Sequence, residues 1–152
     1  PLQEQDLPAV DRILAATAMF TTAEIAVADE LLDVFLHTPG QRDYLIWVAT
    51  LEHQVAGYVC FGPTPATEST YDLYWIAVDP ELQGRGIGKQ LLQFAEQDCL
   101  KQGGKLLIIE TSSKESYRPT QAFYLNNGYQ IEARIKDFYA PGDDRLIFTR
   151  RF

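Results

Sequence analysis

The sequence predicts a single α/β domain whose mixed sheet is mostly antiparallel, with one central parallel strand pair and about four helices. Its 152 residues are the size of one domain, and 46% of them are hydrophobic, which is enough for a buried core. Strand-like and helical patterns alternate in the middle of the chain, whereas consecutive strand patterns stand on either side. We therefore expect one domain over residues 1–152.

Two amphipathic helices are predicted at the start of the chain. The first runs from about Asp6 to Ala16, with apolar residues on one face. Thr22 is predicted to cap the second helix, in which apolar residues recur at helical spacing until Pro39. Both helices should therefore cover the sheet with one apolar face each.

Three strands and a helix follow. The strands are predicted over Tyr44–Leu51, Val55–Phe61 and Tyr71–Val78, and the first two form a hairpin. The helix runs from about Ile87 to Gln102. Leu106–Ile109 is a continuous apolar run, which predicts a strand buried on both faces and parallel to its neighbour.

The last predicted elements are a short helix and a hairpin. The helix covers Thr120–Asn126, and the strands lie near Tyr129–Lys136 and Arg145–Arg150. The turn-rich segment Ala140–Asp144 joins these strands. The predicted order is α-α-β-β-β-α-β-α-β-β, with one parallel crossover between the third and fourth strands.

Composition excludes several classes of function. The net charge of −8 argues against nucleic-acid binding and favours a cationic substrate over an anionic one. Cys60 and Cys99 lie far apart without metal-ligand spacing, so we expect two reduced, buried thiols and no metal site. The first residues carry no signal-peptide pattern, and no apolar run reaches the roughly 20 residues that span a bilayer. We expect a cytoplasmic protein with no membrane partner.

A glycine-rich turn between the third strand and the next helix is the most informative motif. Gly84, Gly86 and Gly88 alternate where the helix begins, so no side chain covers the backbone N–H groups there. The first turn of a helix has unpaired N–H groups and the positive end of the helix dipole. Arg85 and Lys89 add two positive charges. The turn therefore predicts a phosphorylated ligand.

Two other phosphate motifs fit this turn poorly. A nucleoside-triphosphate loop requires Ser or Thr after the Gly-Lys pair, where Gln90 stands. A dinucleotide site would use Glu110 on a ribose, but the five residues Asp79–Gln83 separate the strand from the first glycine. A turn that serves only strand–helix packing is the structural alternative.

Two motifs together resemble the GNAT superfamily of N-acetyltransferases. Gln83-x-x-Gly86-x-Gly88, preceded by Ile76–Pro80, is similar to its acetyl-CoA motif. About forty residues further on, Ala122–Tyr129 is similar to its second signature, and the order of elements agrees across nearly the whole chain. One departure is that only Pro1 and Leu2 stand where members of the family have a full first strand.

The resemblance implies that the two parallel strands splay apart and hold the pantetheine arm of acetyl-CoA. Backbone groups of Ile76, Ala77 and Val78 would bond to this arm. The pyrophosphate would be held by the turn, which comprises Gln83, Gly84, Arg85, Gly86, Ile87, Gly88 and Lys89. The resemblance implies acetyl-CoA as cosubstrate and no metal.

The resemblance also implies that a neutral amine attacks the acetyl thioester directly. Tyr124 matches the general acid, because a phenol keeps its proton at neutral pH and can donate it to the leaving thiolate. The general base stays open between Glu110, Asp72 on the adjacent strand, and a contribution from Tyr117. Neither histidine, His37 nor His53, is expected near the site.

The acceptor is less well defined. Asp137–Asp144 resembles the loop with which acetyltransferases of ribosomal-protein N-termini clamp a peptide backbone. We expect a primary amine: a peptide N-terminus, an amino acid or a small amine. The alternative is a non-catalytic acyl-CoA-binding sensor or interaction module, although such a protein has no need of Tyr124 or Glu110. Many relatives pair through exposed strands or helices, so a homodimer is compatible with the resemblance.

Overall fold

The computed structural model describes residues 1–152. The elements are the helices α1 (Leu7–Thr17), α2 (Thr22–His37), α3 (Ile87–Lys101) and α4 (Arg118–Asn126), and the strands β1 (Leu45–Leu51), β2 (Gln54–Pro63), β3 (Thr70–Val78), β4 (Leu106–Ser112), β5 (Gln130–Ala140) and β6 (Asp143–Arg151). Single turns of 3-10 helix stand at Glu4–Asp6, Pro80–Leu82 and Glu115–Tyr117. The predicted α/β class and the predicted order of elements are confirmed.

The six strands form one mixed sheet in the order β1-β2-β3-β4-β6-β5. Every neighbouring pair is antiparallel except β3 and β4, as predicted. This parallel pair is short, because its register runs only from Thr70 opposite Leu106 to Leu73 opposite Ile109. Beyond these residues the two strands diverge, so a cleft opens in the middle of the sheet.

A β-bulge in β3 accounts for the divergence. Cys60 of β2 lies opposite Trp75, and the next residue of β2, Phe61, lies opposite Leu73. Tyr74 is therefore an extra residue with no opposite partner. A bulge bends its strand and increases the local twist, and here it stands where β3 leaves β4.

Apolar side chains pack on both faces of the sheet. Under α3 and α4 the cluster includes the fully buried Leu92, Leu107 and Phe148. Under α1 and α2 a second cluster includes the fully buried Ile13 and Ile46. Burying one side chain of this size contributes about 2 kcal/mol, so the two clusters fix the positions of all four helices against the strands.

The start of α2 differs from the prediction by one residue. Thr21, rather than Thr22, is the cap: its hydroxyl accepts the N–H of Glu24 at 3.2 Å, and the Glu24 carboxylate accepts the N–H of Thr21 at 2.7 Å. This reciprocal pair is a capping box. A capping box requires a glutamate or glutamine three residues after the cap. Glu24 is three residues after Thr21 but only two after Thr22.

The strand predicted over Leu106–Ile109 is longer and less buried than expected. β4 continues to Ser112, because β6 pairs with it as far as Ser112 opposite Arg145. Leu107 and Ile109 are buried, but Ile108 is only half-buried and lines a cavity. The prediction that β4 is buried on both faces is therefore wrong for the face that carries Ile108, which no helix covers completely.

The β5–β6 hairpin is also longer than predicted. Its strands reach Ala140 and resume at Asp143, so Pro141 and Gly142 alone form the turn. Gly142 has a φ of +82°, which favours glycine. At the other end of the chain, Leu2 is buried and its N–H donates to the Ile46 carbonyl at 3.0 Å.

Both cysteines are buried and free, as predicted. No helix has the length and apolar character that a membrane span requires.

Candidate active site

The cleft between the diverging ends of β3 and β4 holds a cavity of about 180 Å³. It shares lining residues with two larger cavities, one on each side. The glycine-turn cavity, of about 660 Å³, is lined by the turn before α3 and by α4. The carboxylate cavity, of about 750 Å³, is lined by Glu24, Asp72, Glu110 and Asp143 together with aromatic side chains.

The glycine turn presents unpaired backbone donors to its cavity. Gly84 and Gly86 have φ angles of +77° and +80°, which residues with a Cβ rarely adopt. The Gln90 N–H donates to the Gly86 carbonyl at 3.0 Å, the first backbone bond of α3. The N–H groups of residues 87–89 therefore lack helical acceptors. Such a helix start can bind a phosphate group.

The edge of β3 that faces the cleft is also unpaired. Residues Ile76, Ala77 and Val78 pair with β2 on one side and have no strand on the other. They line the cleft, and every predicted cosubstrate residue of the turn lines the cleft or the glycine-turn cavity except Arg85, which is exposed. The free edge can receive an extended ligand as a further strand would be received.

Tyr124 lies where the cleft and the glycine-turn cavity meet. It lines both and is only 3% exposed. Its ring packs against Phe123, Tyr129 and Phe148, with centroid distances of 5.3, 5.8 and 5.6 Å. Burial raises the pKa of Tyr124 above its ordinary value, so the phenol keeps its proton at neutral pH.

Glu110 and Asp72 lie on the same face of neighbouring strands. Asp72 is opposite Ile108, and Glu110 is two residues beyond Ile108, so all three side chains share one face. Both carboxylates line the carboxylate cavity, and Glu110 also lines the cleft. Asp72 accepts the Thr64 hydroxyl at 2.7 Å, whereas Glu110 forms an ion pair with Arg145.

The sequence did not reveal Arg145. Its guanidinium lies 4.7 Å from the centroid of the Phe138 ring, which packs edge-on against Tyr139 at 4.9 Å. The Arg145 Nε is buried and has no hydrogen-bond partner. The signal that identifies Arg145 is its strand register, since it lies opposite Ser112 and diagonal to Glu110.

Tyr117 joins two walls of the site rather than standing free as a base. Its hydroxyl donates to the Met19 carbonyl at 3.0 Å and so ties the α1–α2 connection to the turn before α4. Burial, followed by the charges of Glu24 and Asp143, raises the pKa of Tyr117, so a phenolate is disfavoured. Neither histidine lines these cavities, because His37 pairs with Asp33 at 2.9 Å and His53 stands in the β1–β2 turn.

The acidic residues at the hairpin turn hold the hairpin in place. Asp143 accepts the Ser112 hydroxyl and pairs with Lys114 at 3.2 Å. Burial by itself raises the pKa of Asp143, but these two contacts lower the pKa overall. Asp144 pairs with Arg134 and accepts the N–H of Asp137 at 2.9 Å. Within the predicted loop, Tyr139 and Asp143 line the carboxylate cavity.

A family model described as an acetyltransferase (GNAT) domain matches residues 42–131. YvbK of Bacillus subtilis (strain 168), an uncharacterised N-acetyltransferase, is 30% identical over 129 residues, which cover 79% of this chain and 80% of YvbK.

Solved structures share the whole fold. An acetyltransferase of the GNAT family from Desulfovibrio desulfuricans superposes with a TM-score of 0.95 at 44% identity, over 99% of this chain and 95% of that one. The ribosomal-protein-S18-alanine N-acetyltransferase of Escherichia coli gives 0.77 at 24% identity, over 99% and 90%. An aminoglycoside 6'-N-acetyltransferase complexed with coenzyme A gives 0.72 at 13% identity, over 93% and 88%.

Proposed function

Because the chain belongs to the GNAT family of acetyltransferases, we propose that it transfers the acetyl group of acetyl-CoA directly to a primary amine. The observation that carries this proposal is the continuity of the three cavities. Tyr124 lines both the cleft and the glycine-turn cavity, and Glu110 lines both the cleft and the carboxylate cavity. A donor and an acceptor can therefore approach the cleft from opposite sides.

The donor side fits a pantetheine diphosphate. The unpaired N–H groups of the turn, from Gly84 through Lys89, bind the pyrophosphate, and the positive charges of Arg85 and Lys89 add to the helix dipole. The free edge of Ile76–Val78 bonds to the amide groups of the pantetheine arm. Bound acetyl-CoA would supply an activated thioester at the cleft, where the N–H of Val78, which points away from β2, could face the carbonyl oxygen.

Tyr124 protonates the leaving sulfur. Its position between the cleft and the glycine-turn cavity supports this role, since the thiolate of CoA departs toward that cavity. Its raised pKa keeps the proton available at neutral pH. The phenol donates this proton to the sulfur as the carbon–sulfur bond breaks and negative charge develops on the leaving thiolate.

The two carboxylates divide the work on the acceptor side. Glu110 reaches the cleft and binds the acceptor ammonium, whereas Asp72 takes the proton that this ammonium must lose. The different partners support this division. Glu110 is paired with the cation of Arg145, whereas Asp72 forms no ion pair and accepts only the neutral hydroxyl of Thr64.

Release of the CoA thiol across a panel of acceptors tests the proposed function. The panel contains a peptide with a free N-terminus, free amino acids and a diamine, each with its N-acetylated counterpart as the matched control. We expect thiol release with at least one free amine and none with its blocked counterpart. Thiol release that is equal with and without every amine would contradict transfer to a primary amine.

Binding of the donor is measured separately from turnover. CoA should raise the melting temperature, because a ligand that binds only the folded state at 100 times its Kd adds about 2.7 kcal/mol of stability. No thermal shift with millimolar CoA would contradict the donor assignment. Desulfo-CoA separates the nucleotide end from the thiol and should retain most of the shift.

A further inference from the structure

We propose that Arg145 is a positioning residue that holds Glu110 in its charged form and leaves the exposed part of the carboxylate for the acceptor ammonium. The proposal rests on the proposed function, since it assigns a task within acceptor binding. It concerns a residue that no motif of the chain includes.

The Glu110 carboxylate has a single charged partner. An Nη atom of Arg145 contacts it, and no other residue of the chain forms a salt bridge with Glu110. The Glu110 side chain is 39% exposed and lines both the cleft and the carboxylate cavity. The arginine therefore holds one side of the carboxylate while the other side faces the space that an acceptor would occupy.

Arg145 itself is held from behind. Its guanidinium lies over the Phe138 ring, and a planar guanidinium stacks on such a face more closely than an ammonium does. Its buried Nε has no acceptor, which costs stability. The Phe138 ring therefore supports the guanidinium that contacts Glu110.

The surroundings of Glu110 explain why it needs a cation. The titratable and charged groups that share its cavities are Asp72 and Tyr74 on β3, Glu24 on α2, Lys114 and Tyr117 before α4, Tyr124 on α4, Tyr139 on β5, and Asp143 on β6. Among these, three carboxylates oppose one lysine, and Asp143 already pairs with that lysine. Without Arg145, this negative field would favour the protonated, neutral form of Glu110, which attracts an ammonium weakly.

The decisive experiment measures kcat and the amine KM against pH for Arg145→Met, with acetyl-CoA and the panel amine of highest turnover. We expect the amine KM to rise roughly tenfold at neutral pH, since Glu110 loses the charged partner that positions it. The acidic limb of kcat/KM should move upward by about one pH unit, because Glu110 then takes up a proton more easily. The KM for acetyl-CoA should stay the same.

Two further variants separate positioning from folding. Arg151→Met removes an arginine on the same face of β6 that also pairs with a glutamate, Glu132, at 3.0 Å on the exposed surface. It should leave the acidic limb and the amine KM unchanged. Arg145→Lys keeps the positive charge without the planar fork. We expect the acidic limb of kcat/KM to return to its wild-type position while the amine KM recovers only in part.

A double-mutant cycle with Glu110→Gln decides the proposal even if Arg145→Met folds poorly. If Arg145 acts through Glu110, then Arg145→Lys should change the amine KM in the wild type but not in the Glu110→Gln background. Equal effects in both backgrounds, or an unmoved acidic limb in a folded Arg145→Met, would overturn the proposal while acetyl transfer by the wild type stands. Absence of transfer by the wild type to any amine would instead contradict the proposed function.

Discussion

Strand β6 supplies an arginine to a glutamate on each face of the sheet, and the two ion pairs differ in how completely they are satisfied. Arg145 and Arg150 are five residues apart, so their side chains leave the strand on opposite faces. Arg150 pairs with Glu96 of α3 at 2.8 Å, and the Glu96 side chain is only 8% exposed. Tyr129 donates to the same oxygen of Glu96 at 2.9 Å, and Arg150 also donates to the Asn127 carbonyl at 3.0 Å.

The pair between Glu110 and Arg145 lacks this closure. Glu110 opens onto the cleft, and the Arg145 Nε has no partner. A pair whose two members have further hydrogen-bond partners ties α3 firmly to the sheet. A pair without such further partners contributes less to the fold and leaves its carboxylate open to a ligand. We therefore expect the same two residue types to serve stability on one face and the proposed acceptor site on the other.

The largest expected effect follows from loss of the Glu96–Arg150 ion pair. Glu96→Ala should lower the free energy of unfolding by about 3 kcal/mol, because it leaves the Arg150 guanidinium and the Tyr129 hydroxyl without their acceptor in a largely buried place. Urea unfolding at neutral pH measures this loss. The amine KM of the remaining folded enzyme should match the wild type, since Glu96 lines none of the three cavities.

A compensated double variant checks the cause. Glu96→Leu combined with Arg150→Met replaces the pair with apolar groups and should recover much of the lost stability, as happens when buried pairs are replaced whole. A double variant that is less stable than Glu96→Ala would show that the ion pair itself, and not an unpaired charge, dominates this region.

The sequence predicted those parts of the candidate site that are local motifs. The glycine turn, Tyr124 and the strand that carries Glu110 each stand in a short pattern, and the alternation of elements predicted the sheet with its parallel pair. Arg145 and Arg150 escaped prediction because their partners lie 35 and 54 residues earlier in the chain. Only the register of β6 against β4, and the packing of α3 on the sheet, brings these charges together.

The next effect concerns catalysis alone. Tyr124→Phe should lower kcat by about 100-fold, since it removes the proposed general acid. Its melting temperature and its affinity for CoA should change little, because the ring keeps its contacts with Phe123 and Phe148. Steady-state kinetics and a CoA thermal shift measure the two properties. A kcat equal to that of the wild type would mean that another group protonates the leaving thiolate.

The neighbouring tyrosine should give the opposite pattern. The ring centroids of Tyr129 and Tyr124 are 5.8 Å apart, and the Tyr129 hydroxyl donates to Glu96, the partner of Arg150. Tyr129→Phe should cost about 1.5 kcal/mol of unfolding free energy, the usual value for a hydrogen bond to a charged group, and leave kcat intact. Unfolding and turnover of Tyr124→Phe and Tyr129→Phe are measured side by side. They test whether Tyr124 serves turnover while Tyr129 serves stability. A tenfold loss of kcat in Tyr129→Phe would place the buried pair within the catalytic machinery.

The smallest effect concerns the hairpin that carries Arg145, and it depends on pH. Backbone donation from Asp137, followed by the contact with Arg134, lowers the pKa of Asp144 below its ordinary value of 3.8. A carboxyl group whose pKa is lowered by folding stabilises the protein above its unfolded pKa and loses that contribution as the pH falls through its folded pKa. Asp144→Asn should therefore be less stable than the wild type from neutral pH down to about pH 4, and the difference should close below it.

Urea unfolding of the wild type and Asp144→Asn between pH 7 and about pH 2 measures this closure. Asparagine keeps an oxygen that can accept the Asp137 N–H, so the variant removes the charge but little of the shape. The difference at neutral pH should be smaller than that of Tyr129→Phe, because the Arg134 side chain is 60% exposed and water screens its charge. If the stability difference persists undiminished to the lowest pH, the contribution of Asp144 depends on the shape of its side chain and not on its charge. The charge of Asp144 would then play no part in holding Arg145 beside Glu110.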